Sequence, residues 1–123
     1  MRLFSKLFLL LALTWMTVPA IAQERGKATY YAKWMNGRRT ASGQRLYNDS
    51  LVCAHKTHKF GTLLNVKNLK NGKEVVVKVI DRGPYVKGYI VDLSIAAARE
   101  IGLIGVGVVP VVVTVVNKDE KKE

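Results

Sequence analysis

The chain has 123 residues, with 20 Lys and Arg against nine Asp and Glu, a formal net charge of +11 and one cysteine. That length accommodates one domain with a modest core. A lone Cys53 excludes an intramolecular disulfide and a cysteine metal cluster, while the positive charge favours polyanionic partners: acidic glycans, membrane surfaces or nucleic acid.

The N-terminus reads as a secretory signal peptide over residues 1–22. Arg2 and Lys6 form a basic start, Leu7 to Met16 an apolar run of ten residues, and Ala20-Ile21-Ala22 a small-x-small cleavage site. The apolar run is too short to span a bilayer. Cleavage before Gln23 leaves 101 residues with 18 cations and nine acids, a net of about +9. Gln23 rather than a cysteine stands directly after the cut, so the product is expected not to be a lipoprotein, and Leu103 to Val116 is too short and glycine-broken to cross a membrane. The expected location is the periplasm or the cell exterior. Export sets nucleic acid aside as a partner and leaves carboxylated and phosphorylated polymers.

From Gln23 onward the pattern is mostly β. Ala28 to Lys33 is a β-type segment rich in Tyr and Thr, followed by a polar stretch, Asn36 to Asn48, with Gly37 and Gly43 as turn points. Leu51 to His55 and Thr62 to Asn68 read as strands. Asn71-Gly72 is a strong hairpin signal, with Glu74 to Ile80 as the returning strand. Tyr89 to Asp92 is a brief strand. Ser94 is placed to cap a helix over Ile95 to Ile101, stopped by Gly102. Gly107 to Val116 is a last strand in which Pro110 predicts an edge or a bulge. The domain is expected over 23–117, with a charged tail at 118–123. Short Val-rich strands, apolar on both faces in places, predict a small closed barrel.

Asp81 is the leading chemical candidate. A hydrophobic strand delivers it to a rigid lip, with Arg82 beside it and Gly83-Pro84-Tyr85 turning away. Asp92, just ahead of Leu93-Ser94, is expected to serve the helix terminus. His55 and His58 are three apart without a nearby acid, a weak metal pattern, and His55 is the better placed to face a cleft. Cys53 lies in the apolar run Leu51 to Ala54 and reads as buried structure rather than as a nucleophile paired with His55. Trp34, Tyr85 and Tyr89 are aromatic rings beside polar loops, suited to stacking on sugars.

As a set, several blocks resemble the RlpA-like family, from Ala28 to about Val116. They are Ala28-Thr29-Tyr30-Tyr31; Arg39-Thr40-Ala41-Ser42-Gly43; Ala54-His55-Lys56-Thr57; Phe60-Gly61-Thr62; Val66 with Asn68-Leu69 and Asn71-Gly72; Asp81-Arg82-Gly83-Pro84-Tyr85; and Asp92-Leu93-Ser94 with Ala96-Ala97-Ala98. The resemblance implies a six-stranded double-psi β-barrel with one or two short helices. It implies an endolytic lytic transglycosylase of the cell wall, cutting the β-1,4 bond between N-acetylmuramic acid and N-acetylglucosamine to leave 1,6-anhydro ends. It also implies a catalytic set of Asp81 as general acid/base, His55, and Gln44 in the place of the family's Glu, with Tyr31, Thr40, Ser42, Arg82 and Tyr85 as substrate contacts. No cofactor, no metal and a monomer acting on peptidoglycan strands are expected.

The chain departs from the family pattern at Gln44, where Glu is usual, at Leu46-Tyr47, where an aromatic-Asp pair is usual, and at Ile80, where Asn is common. Gln44 can hydrogen-bond but can neither carry charge nor transfer a proton. The alternative reading is therefore a non-catalytic glycan-binding barrel that lost its second carboxylate. A basic surface adhesin or effector is a third.

Overall fold

In a computed structural model of the chain, residues 22–116 are described. The signal-peptide reading at 1–22, but for Ala22, and the tail at 118–123 lie outside the described residues. Six strands close into one barrel: β1 (Gln23–Tyr30), β2 (Val52–Ala54), β3 (Leu63–Asn68), β4 (Glu74–Asp81), β5 (Tyr89–Leu93) and β6 (Val109–Val115). Their order around the wall is β1-β5-β2-β4-β3-β6. The β1–β5 and β2–β4 pairs are parallel and the other four antiparallel. One helix, α1 (Ile95–Glu100), follows β5, and a single 3-10 turn covers Lys33–Met35. The six-stranded barrel with short helices agrees with the sequence expectation.

Alternation places Val75, Val77 and Val79 of β4 inward, where they meet Leu64, Val66, Val91, Leu93, Val109, Val111 and Val113 in a core closed at one side by Ala97 and Ala98 of α1 and by Ile101 just after it. The β3–β4 hairpin forms as its Asn-Gly signal predicts, with Lys67 opposite Glu74 and Gly72 at φ +77°. Ser94 caps α1 by accepting from the Ala97 N–H, and Gly102 at φ +74° follows its end. β1 begins earlier than its sequence pattern suggests because β6 pairs with it from Gln23 onward. The edge or bulge expected at Pro110 is absent. Pro110 sits second in β6 between two partners, opposite Lys27, with its carbonyl accepting from the Leu69 N–H.

Between β1 and β2 the chain leaves the barrel and folds back. Arg38 to Thr40 run against Gln44 to Leu46 as a small hairpin, joined by Leu46 N–H to Arg38 O (2.7 Å) and Thr40 N–H to Gln44 O (2.9 Å). A second, smaller core of Leu46, Val52 and Ile80, with Tyr31 and Met35 against it, fastens this excursion to the outside of β2 and β4. Asn48 pins its end to α1, its Oδ1 accepting from the Ile95 N–H. Leu46 is the only residue of the hairpin arms that is fully buried. Leu46→Ala is expected to cost about 3 kcal/mol, read as a lowered midpoint in a urea melt, and to loosen the hairpin without dissolving the barrel core.

Candidate active site

The hairpin tip and the end of β4 build the site together. Cys53 pairs with Val79 but Ala54 pairs with Asp81, so β4 carries one extra residue at Ile80. Such a bulge re-aims the side chains beyond it. Strict alternation with Val75, Val77 and Val79 would send Asp81 inward; instead it meets the hairpin. Ser42 N–H bonds to the Ile80 carbonyl (3.1 Å), and the next contact is on the carboxylate itself. Oδ1 of Asp81 accepts from the backbone N–H groups of Ala41 and Arg82, both at 2.9 Å, and Oδ2 accepts from the Tyr31 hydroxyl at 2.6 Å. Burial, reinforced by the hydrogen bond to Asp81, pushes the Tyr31 hydroxyl far above its ordinary pKa, so Tyr31 remains a donor.

Asp81 opens on a cavity of about 250 Å³ lined by Tyr31, Arg38, Arg39, Thr40, Leu46, Arg82 and a second carboxylate, Asp92. Asp92 is not the helix cap; Ser94 does that. Ala54 pairs with Asp81 on one side and with Asp92 on the other, so the two acids flank a single strand. Two strand spacings separate their Cα atoms by about 10 Å, and both side chains reach the same space. Burial, then the charge of Asp81, raises the Asp92 pKa from 3.8 to about 6. Two groups of one chemical type thus sit in different environments, one held by three donors and the other desolvated.

Gln44 does not join them. It lies on the far arm of the hairpin and lines two depressions that share Lys78 and Ile80. Ser42 lines one of these, while Thr40 lines the Asp81 cavity and bonds to the Gln44 carbonyl (2.5 Å). Tyr85 is 77 % exposed and lines none of the three, as is true of Trp34. The Cys53 thiol is buried in the core and pushed up to about 12 by that burial, then by Asp92, as a structural cysteine should be.

The His55 side chain is also outside the Asp81 cavity. It is 2 % exposed, and both ring nitrogens are committed. Nδ1 accepts from the Thr57 and His58 N–H groups at 3.1 and 3.2 Å, so the ring proton resides on Nε2 and is donated to Glu24 Oε1 at 2.7 Å. Glu24, His55 and His58 bring ligand-type atoms within 4.8 Å of one another. A cation on Nε2 would have to displace the one ring proton, so the trio suits a hydrogen bond better than a metal. The main chain of His55 does touch the site. Its N–H bonds to the Asp81 carbonyl, and its carbonyl, with that of His58, receives Arg82 Nη1 at 3.1 and 2.8 Å. The guanidinium lies 4.0 Å over the Phe60 ring.

Set against known proteins, residues 23–113 match the family described as lytic transglycolase. The chain belongs to that family, the RlpA-like double-psi β-barrels. It is 55 % identical over 86 residues to a probable endolytic peptidoglycan transglycosylase RlpA of Aquifex aeolicus, covering 70 % of this chain and 38 % of that one. It is 53 % identical over 97 residues to the endolytic peptidoglycan transglycosylase RlpA of Pasteurella multocida, covering 78 % and 33 %. The chain thus spans about a third of the length of these relatives. Among solved structures it resembles an apo expansin of Clavibacter michiganensis (TM-score 0.62, 26 % identity, 79 % of this chain and 52 % of that one). A Streptomyces papain inhibitor shares the fold (TM-score 0.64, 24 % identity, 82 % and 100 %).

Two outcomes follow from the geometry. A carboxyl whose folded pKa is raised binds its proton more tightly in the native state. The stability it contributes is complete below the unfolded value near 4, is lost as pH rises to about 6, and is flat above that. Asp92→Asn is therefore expected to raise the melting temperature at pH 7 and leave it unchanged at pH 4. His55→Ala strands two backbone N–H donors, at about 1–3 kcal/mol each. His55→Asn keeps an acceptor for them in an Asx-type turn and should melt between wild type and the alanine variant.

Proposed function

We propose that the protein is an exported lytic transglycosylase that cleaves the β-1,4 bond between N-acetylmuramic acid and N-acetylglucosamine in peptidoglycan strands, without water, to give 1,6-anhydro ends. Family membership supports the reaction class, the basic and apolar N-terminal pattern supports export to the periplasm or beyond, and no helix among the described residues is long and apolar enough to cross a membrane. The observation that carries the proposal is the pair of carboxylates in one cavity, Asp81 held by three donors and Asp92 holding a proton close to neutrality.

A lytic reaction needs one proton delivered and one removed. Asp92, with its raised pKa, supplies a proton to the glycosidic oxygen as that bond breaks. The muramyl 6-hydroxyl oxygen then bonds to the anomeric carbon, and its proton passes to Asp81. Before that step the Asp81 charge opposes the positive charge developing on the sugar ring. Tyr31 and the Ala41 and Arg82 N–H groups orient Asp81, and Thr40 and Arg82 contact the glycan. In this scheme Asp81 keeps its place as the principal carboxylate, Asp92 is the acid partner, and Gln44 and His55 handle no proton. Loss of the usual Glu at 44 is then compatible with turnover.

Mass spectrometry of digests of purified peptidoglycan tests this. The wild-type chain is expected to release anhydro-muropeptides. Asp81→Asn and Asp92→Asn should each lower the rate by about 10²–10⁴-fold, and Tyr31→Phe by about tenfold, the worth of one hydrogen bond to a charged group. A folded wild-type chain that binds strands and yields no anhydro ends would return the protein to the glycan-binding reading. Full activity in Asp92→Asn would return the whole proton traffic to Asp81.

A further inference from the structure

Lys78 is an oddity in its strand. It interrupts Val75-Val76-Val77 and Val79-Ile80 at the centre of β4, between Val52 on β2 and Leu63 on β3. It is half-buried, and among the described residues no carboxylate forms a salt bridge with it. Its aliphatic stem lies along the valine-rich strand, which leaves the ammonium head at the surface and open to an anion. Lys78 lines both depressions on the Gln44 side of the hairpin, about 540 and 240 Å³. Arg45 stands in the larger one with Tyr47 and Leu51, which are 51 % and 45 % exposed. An aromatic and aliphatic wall with two cations, an amide and no acid matches a sugar ring that carries a negative group.

We propose that this groove is a second binding subsite, in which Lys78 and Arg45 receive a carboxylate borne by the glycan while Tyr47 and Leu51 cover the ring that carries it. Lys78 precedes Asp81 by three residues on the same strand, about 10 Å along it. One strand of glycan can therefore occupy both sites across the hairpin tip, where a single sugar cannot. Gln44 has a defined part in this. A carboxylate at position 44 would enter the groove that Lys78 lines and compete for its charge, whereas the amide leaves the lysine available and still offers a donor and an acceptor. The subsite extends the transglycosylase reading, in that its ligand is the same polymer, but it makes a claim about binding alone.

The test is binding of glycan strands to the full chain in an Asp81→Asn background, where strands stay intact. The probes are amidase-stripped peptidoglycan strands, the same strands with their carboxylates capped as methyl amides, and peptide-bearing strands. Stripped strands should bind with saturation. Capping, Lys78→Gln and Gln44→Glu should each weaken the interaction about five- to tenfold, the range of a partly desolvated charged contact. Capping should add nothing further in the Lys78→Gln variant. If stripped strands bind better than peptide-bearing ones, the carboxylate is the sugar's own, since the peptide occupies that group in an amide bond until the amidase removes it; if they bind worse and Lys78→Gln matters only for peptide-bearing strands, it is the peptide's. Unchanged binding in folded Lys78→Gln, or equal binding of capped and uncapped strands to the parent, would overturn the subsite. Lys78-dependent binding by a chain that, with Asp81 restored, makes no anhydro ends would sink the transglycosylase reading and keep this one.

Discussion

The site depends on a few hydrogen bonds between the hairpin tip and the end of β4. Ser42 bonds to the Ile80 carbonyl, and Ala41 bonds to the carboxylate of Asp81. Without them the excursion between β1 and β2 would be a long loop on a barrel, and Asp81 an exposed strand-end acid. With them, the loop becomes one wall of a cavity whose other wall is the barrel itself. The small core of Leu46, Val52 and Ile80 supplies the apolar burial that makes this docking favourable. The bulge at Ile80 supplies the direction, since only a break in alternation turns Asp81 toward the tip while Val79 stays in the core.

That arrangement also separates two identical side-chain chemistries. Asp81 receives two backbone N–H groups and a tyrosine hydroxyl. Asp92, on the other side of Ala54, lies against the same cavity, is desolvated and feels the charge of Asp81. A pair of acids pushed apart in this way is the usual physical basis for one proton donor and one acceptor in one site. The proposed proton traffic therefore places no demand on position 44. His55 serves the same frame from behind: its ring ties the 55–58 turn to β1, and the carbonyls of that turn hold Arg82, whose N–H in turn holds Asp81.

Much of the barrel was legible before folding was considered. The Asn-Gly hairpin, the Ser94 cap, the alternation in Glu74 to Ile80 and the strand running into Asp81 are local signals, and each appears where its residues place it. The misreadings share a cause. Asp92 looked like a helix-terminal acid because it stands three residues before a helix, yet Ser94 is nearer and takes that role. Pro110 looked like an edge residue because proline lacks an N–H, yet a closed barrel has no edge to give it. His55 looked like a cleft residue because it ends an apolar strand, yet Glu24, 31 positions away, claims its ring. Gln44 stands where the family pattern puts a partner of Asp81, and it lines the depressions beside Lys78 rather than the Asp81 cavity.

The sequence by itself determined the class of fold, the strand that carries Asp81 and the family to which the blocks belong, because strand periodicity, turn chemistry and capping are written in neighbouring residues. Tertiary structure alone decided which residues share a cavity. Asp81 and Asp92 meet through their common neighbour Ala54, and Tyr31 reaches Asp81 across 50 positions of chain. Strand order and two register slips, at Ile80 and Ile90, set those distances. Both are properties of how six strands close on one another, which no short stretch of the chain contains.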